Sequence, residues 1–96
     1  MQITATIKVI NEIKMGISRS SGNPWKRQDI VLGWAEPYGE DGRTRQQLLL
    51  VSLSGKNVDK FEELECKTGD VITGELDFET RVVNDRVYND IALRLE

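Results

Sequence analysis

The chain has 96 residues, of which 30% are charged and 39% hydrophobic, with a formal net charge of −3. That length holds one modest core and not two, and the composition is that of a folded globular chain, so residues 1–96 are read as one domain. Histidine is absent and Cys66 is the single cysteine, which removes the usual general base, the commonest metal ligand, a thiolate zinc cage and an internal disulfide.

No Gly-rich phosphate loop or nucleophile elbow occurs, and carboxylates on strands ordinarily form a solvated face. The expectation is a non-catalytic protein without cofactor or metal. The longest apolar run, Leu48 to Val51, is far too short to span a membrane. The opening MQITATIKV lacks a charged-then-apolar leader, and a lone thiol suits a reducing compartment, so a cytoplasmic location is expected.

The first segment alternates: Ile3, Ala5, Ile7 and Val9 on one parity, Gln2, Thr4, Thr6 and Lys8 on the other. Period two predicts a half-buried strand. Ile13 and Met15 continue the inner parity until Gly16 and the cluster Ser-Gly-Asn-Pro interrupt it. A second strand is predicted from about Trp25 to Glu36, with Ile30, Leu32 and Trp34 inward and Trp25, Arg27, Asp29 and Val31 outward. Gln28 shares the inward parity and reads as a buried hydrogen-bonding side chain. After the turn "EPYGEDGR", the segment from about Arg45 to Leu53 is apolar on both parities, which leaves its orientation open. If Leu49, Val51 and Leu53 point inward, Leu48 and Leu50 point outward.

The period then changes. Val58, Phe61 and Leu64 recur at helical spacing and predict a short amphipathic helix from Gly55 to about Leu64. Cys66 reads as a small buried hydrophobe, and Lys67 to Asp70, "KTGD", as a turn. A fourth strand puts Ile72, Leu76 and Phe78 inward and Thr73, Glu75, Asp77 and Glu79 outward. Asn84-Asp85 predicts a tight reversal, because both residues tolerate the positive φ of a two-residue hairpin turn. The last strand has Val87, Ile91, Leu93 and Leu95 on one parity, and Arg86, Tyr88, Asp90 and Arg94 on the other. The predicted class is all-β with one short helix, in the order β-β-β-α-β-β. Closing five strands into a small barrel plugged by the helix, the OB-fold layout, is the economical way to hide their apolar faces; an open α+β sheet has the same order.

Within this frame "GNPWKRQDIVL" resembles the Gly-x-x-Trp-x-x-Gln-hydrophobic signature of a family of small bacterial proteins. "KNVDKFEELECKTGDVITGELDFETR", followed by Asn, Arg, an aromatic and "NDI", is similar to the second half of the same family. That family is a domain of unknown function with a predicted OB-fold, related to single-stranded-DNA-binding proteins. The resemblance covers nearly the whole chain and implies that fold. Two departures stand out: Val87 occupies a slot that is often aromatic, leaving Tyr88 there alone, and the third strand is unusually apolar. The second suggests an outer face covered by another subunit.

OB-folds bind oligonucleotides across strands two and three, between the loop joining strands one and two and the loop joining four and five. The first loop, residues 14 to 27, holds Lys14, Arg19, Lys26 and Arg27 and no acidic residue. Arg19, Lys26, Arg27, Arg45 and Arg86 are therefore candidate phosphate contacts, with Lys14 and Arg43 beside them. Trp25 and Tyr88 are candidate stacking platforms. Each has a plainer reading: Trp25 can cap the barrel's open end, Lys26 and Arg27 can be solvated or paired with Asp29 and Glu36, and Tyr88 can serve sheet packing. The first fifty residues carry seven basic and five acidic side chains, and the rest six and eleven. Any polyanion should therefore cross strands two and three, avoid strand four, and bind with strong salt dependence.

Two functions are expected from these features. One is a module for single-stranded DNA or RNA with little sequence preference, forming a homo-oligomer such as a dimer through its outer sheet face. The other is a protein-assembly module without nucleic-acid affinity, using the face that bears Leu48 and Leu50.

Overall fold

The computed structural model describes residues 1–95. Its elements are β1 (Gln2–Ile10), β2 (Lys14–Ile17), β3 (Pro24–Tyr38), β4 (Arg43–Ser54), α1 (Lys56–Glu63), β5 (Val71–Val83) and β6 (Arg86–Leu95). The sheet runs β1-β5-β6-β4-β3-β2, and β1 also pairs with β3, so five strands close on themselves while β2 adds to the rim. All pairings are antiparallel except β4 with β6, which are parallel where Ser52 meets Ala92. Closure leaves no long exposed edge within the barrel wall.

The core is the inward parity of each strand. Ile7, Ile30, Leu32, Val51, Leu53, Leu76 and Leu93 are fully enclosed, and Val58 and Phe61 of α1 cover one end. The helix is fastened to the end of β6: Lys60 Nζ donates to the Leu95 carbonyl at 3.2 Å, and the Leu95 amide donates to Asn57 Oδ1 at 3.0 Å. Leu64, expected on the buried stripe, lies past the last turn and is exposed. Gln28 is buried as expected, its Nε2 donating to the Asn11 carbonyl at 3.0 Å. Trp34 packs against the core and donates its indole N–H to Glu36 Oε1 at 2.8 Å.

Strand β1 serves two neighbours. Gln2 to Thr6 pair with β5, Thr6 to Ile10 pair with β3, and the register slips between Ile7 and Val9. An extra residue at such a corner bends the strand and reverses its parity. Val9, expected inward, is exposed as a result, and Ile10 packs on the core instead.

Two ribbons run beyond the barrel. The β3–β4 hairpin turns at Gly39 and Gly42, both at φ +78°. The β5–β6 hairpin turns at Asn84 and Asp85, with φ of 50° and 64°, as the sequence predicted. Phe78, expected in the core, lies on this second ribbon with Val87, and both are exposed, Phe78 by 60%. Their parity is inward, but the barrel has ended and nothing packs opposite. Met15 is exposed for the same reason, on β2, a rim strand paired to β3 alone, and so is Ile13 just before it. The ribbons give the molecule a flat outline of 55 × 39 × 20 Å.

Candidate nucleic-acid interface

The β3–β4 register is unbroken from Arg27 opposite Ser54 to Tyr38 opposite Arg43. Because Gln28, Ile30 and Leu32 fill the barrel, the odd residues of β3 and the even residues of β4 form one outer face. Along it lie Trp25, Arg27, Asp29, Val31 and Gly33, with Leu50 and Leu48 opposite the last two. Leu48 and Leu50 are 65% and 59% exposed, so the third predicted strand is oriented with Leu49, Val51 and Leu53 inward. β2 carries the face sideways, Lys14 standing opposite Arg27 and Gly16 opposite Trp25.

The basic side chains of this face differ in availability. Arg27 Nε donates to Asp29 Oδ1 at 3.0 Å. Lys14 is exposed and has no ion-pair partner among the described residues. Lys8, on β1, lays its side chain across Gly33: a β-carbon there would sit 2.8 Å from Lys8 Cε and 3.2 Å from Leu48 Cδ2. Lys8, on the outward parity of the first strand as the sequence indicated, thus joins the β3–β4 face, which parity alone did not reveal. The register slip in β1 and the bare backbone of Gly33 put it there, and neither contact is local in sequence.

Trp25 is 47% exposed. Its indole occupies the space above Gly16, and with Met15, Pro24, Lys26, Ser54 and Gly55 it lines an open groove of about 490 Å³. Lys26 has the opposite parity and meets Asp59 of α1, an ion pair joining β3 to the helix. Arg27 takes Asp29, one of the expected partners, whereas Lys26 takes the helix and Glu36 takes Trp34 instead.

Not every candidate converges here. Arg19 is exposed at the tip between β2 and β3, where the chain turns through Gly22 at φ +71°. Arg45 stands opposite Glu36 on the reverse face of the β3–β4 ribbon, its guanidinium 5.6 Å from the centre of the Tyr38 ring. Nine strand residues, roughly 30 Å, separate that position from Arg27. Arg43 is on the same reverse face and pairs with Asp41 at 2.7 Å. Arg86 and Tyr88 lie on the β5–β6 ribbon and share the outward parity of Ala92. Two of the acidic positions of β5 are ion-paired, Glu75 with the N-terminal ammonium at 2.6 Å and Asp77 with Arg94, whereas Glu79 has no ion-pair partner among the described residues.

This fold recurs in solved structures. A Plasmodium falciparum SSB in complex with ssDNA superposes with a TM-score of 0.53 at 10% identity, covering 99% of this chain and 85% of that one. The small single-stranded DNA-binding protein from Streptomyces coelicolor superposes with a TM-score of 0.52 at 14% identity, covering 98% and 87%. The chain is an OB-fold. No family model matches it, and neither does any curated protein sequence.

In OB-fold terms, β1, β3, β4, β5 and β6 are the five barrel strands, α1 is the plug between the third and fourth, and β2 is an elaboration of the first loop. Residues 14 to 27, expected as a loop, are therefore largely a β-ribbon, and Trp25 is held by cross-strand pairing. No helix is long and apolar enough to cross a membrane among the described residues.

Proposed function

We propose that this OB-fold binds single-stranded nucleic acid, DNA or RNA, along the outer face of β3 and β4, with little sequence preference and without catalysing a reaction. The observation that carries the reading is the convergence of Trp25, Arg27, Lys14 and Lys8 on that one face. Cations track the phosphates while an aromatic and the aliphatic strip of Leu48 and Leu50 receive bases, a combination that is indifferent to sequence because every base has an apolar face. The two solved neighbours, each described as a single-stranded-DNA-binding protein, support the same reading. Arg86 and Tyr88 extend the path onto the β5–β6 ribbon, and Arg19 extends it at the β2–β3 tip. Arg45 serves only a strand that wraps to the reverse face.

The test is a titration of fluorescently labelled oligo-dT, followed by anisotropy at low and then rising salt. A steep fall with salt is expected. The Lys8→Gln/Lys14→Gln variant should flatten the log–log slope by about 1.4, from two contacts at ~0.7 each for a single strand. Failure of the native protein to bind at low salt overturns the proposal.

The exposure of Leu48 and Leu50 supports a second reading, in which a second copy of the chain covers this face. Sedimentation then reports a dimer that Leu50→Lys dissociates, and oligo-dT leaves the dimer unchanged.

A further inference from the structure

We infer that Gly16 is a positioning residue that seats the Trp25 indole, so that the ring offers its exposed part to a single unstacked base. This rests on the nucleic-acid reading of the outer face and specifies how its aromatic position works.

Gly16 stands directly opposite Trp25 in the β2–β3 ribbon. A β-carbon built on Gly16 would lie 2.6 Å from Cζ2, 2.8 Å from Cε2 and 2.9 Å from Nε1 of the indole. Real β-carbons do not approach other atoms so closely, so the ring occupies space that only glycine leaves empty. Gly16 is not among the glycines with positive φ. Its backbone therefore suits any residue, and the position calls for glycine because of the ring, not because of the turn. An aromatic laid over a cross-strand glycine is held by the sheet itself, which lowers the ordering cost on binding.

The same contact covers part of the indole. Trp25 stays 47% exposed and, with Gly16, Met15, Pro24, Ser54 and Gly55, lines the groove of about 490 Å³, a size suited to a small planar ligand. The one charged side chain lining it, Lys26, is already paired with Asp59. The groove thus favours an uncharged flat ring, and the adjoining phosphates fall to Lys14 and Arg27 on the neighbouring register pair.

The experiment is a double-mutant cycle on wild type, Gly16→Ala, Trp25→Ala and Gly16→Ala/Trp25→Ala. Each is titrated with oligo-dT and with an abasic oligomer of the same length, following anisotropy and tryptophan emission. Trp25→Ala should weaken oligo-dT binding roughly 5- to 150-fold, the range of one base stack. Gly16→Ala should reproduce much of that loss and of the lost tryptophan quenching. It should leave binding of the abasic oligomer unchanged, and it should have no effect once Trp25 is alanine.

Circular dichroism and thermal melting report the fold. If Gly16→Ala alone melts early, recovery on adding Trp25→Ala confirms that the methyl and the indole compete for one space, and the absence of recovery refutes it. Wild-type affinity and quenching in a folded Gly16→Ala protein overturn the inference while leaving nucleic-acid binding intact. So does equal weakening with and without Trp25. No binding by the wild-type protein overturns both.

Discussion

Removing one carboxylate should strengthen binding. Asp29 lies on the outer face beside Leu50, and its Oδ1 accepts the Arg27 Nε–H at 3.0 Å. While that pair persists, Arg27 contributes little net charge to a passing phosphate. In Asp29→Asn the side chain keeps its shape and can still accept the hydrogen bond, but Arg27 regains its full charge. One more effective phosphate contact adds about 0.7 to the magnitude of the slope of log K against log salt. Measured from 1 M, where this contribution vanishes, the gain is about 8-fold at 50 mM salt and about 3-fold at 200 mM. The pair is partly solvated, so its loss should change folding stability by no more than ~1 kcal/mol. Fluorescence anisotropy with oligo-dT at several salt concentrations, alongside a thermal melt, reads both quantities. Unchanged or weaker binding, or a gain that does not shrink with salt, would refute the assignment of Arg27 to a phosphate path.

Two further outcomes follow from the packing. Gly74 lies where β1, β5 and β6 meet, and a β-carbon there would sit 2.7 Å from the Arg94 carbonyl oxygen, which the sheet holds in place. Gly74→Ala should therefore cost roughly 1–3 kcal/mol of stability, read as a lower urea midpoint with an unchanged slope; a native midpoint would show that the strands yield. Burial pushes the Cys66 thiol up, and the nearby Asp70 carboxylate adds to it. The folded state thus disfavours the thiolate, so stability that is intact below the ordinary thiol range is lost as pH rises through that range toward the raised value. Cys66, expected as a buried hydrophobe, is only partly buried; alkylation by iodoacetamide near pH 8 should still be slower in the folded protein than in urea, and equal rates would contradict the raised thiol value.

Much of the barrel was legible because its signals are local. Alternation in Gln2 to Ile7 and at Ile30 and Leu32, the helical spacing of Val58 and Phe61, and the reversal at Asn84-Asp85 all depend on neighbours a few residues away. Several errors share one cause. Phe78 and Met15 were assigned to the core by parity, yet parity says only which side of a strand a residue takes, not whether anything lies opposite. The same gap put Arg45 with Arg27, although an unbroken register places them on opposite faces. Lys8 and Gly16 were passed over because each matters through one cross-strand contact, with Gly33 and Trp25 respectively.

By itself the sequence determined the alternating faces, the turns and the helix, since backbone pleat, positive-φ tolerance and helical period act within a few residues. It also restricted the chemistry through what it lacks, above all histidine. Only the tertiary structure decided where the barrel wall ends and its ribbons begin, which way β1 turns after its slip, and which cations share a face with Trp25. Those outcomes depend on pairing between distant strands, where a shift of one residue exchanges inside for outside.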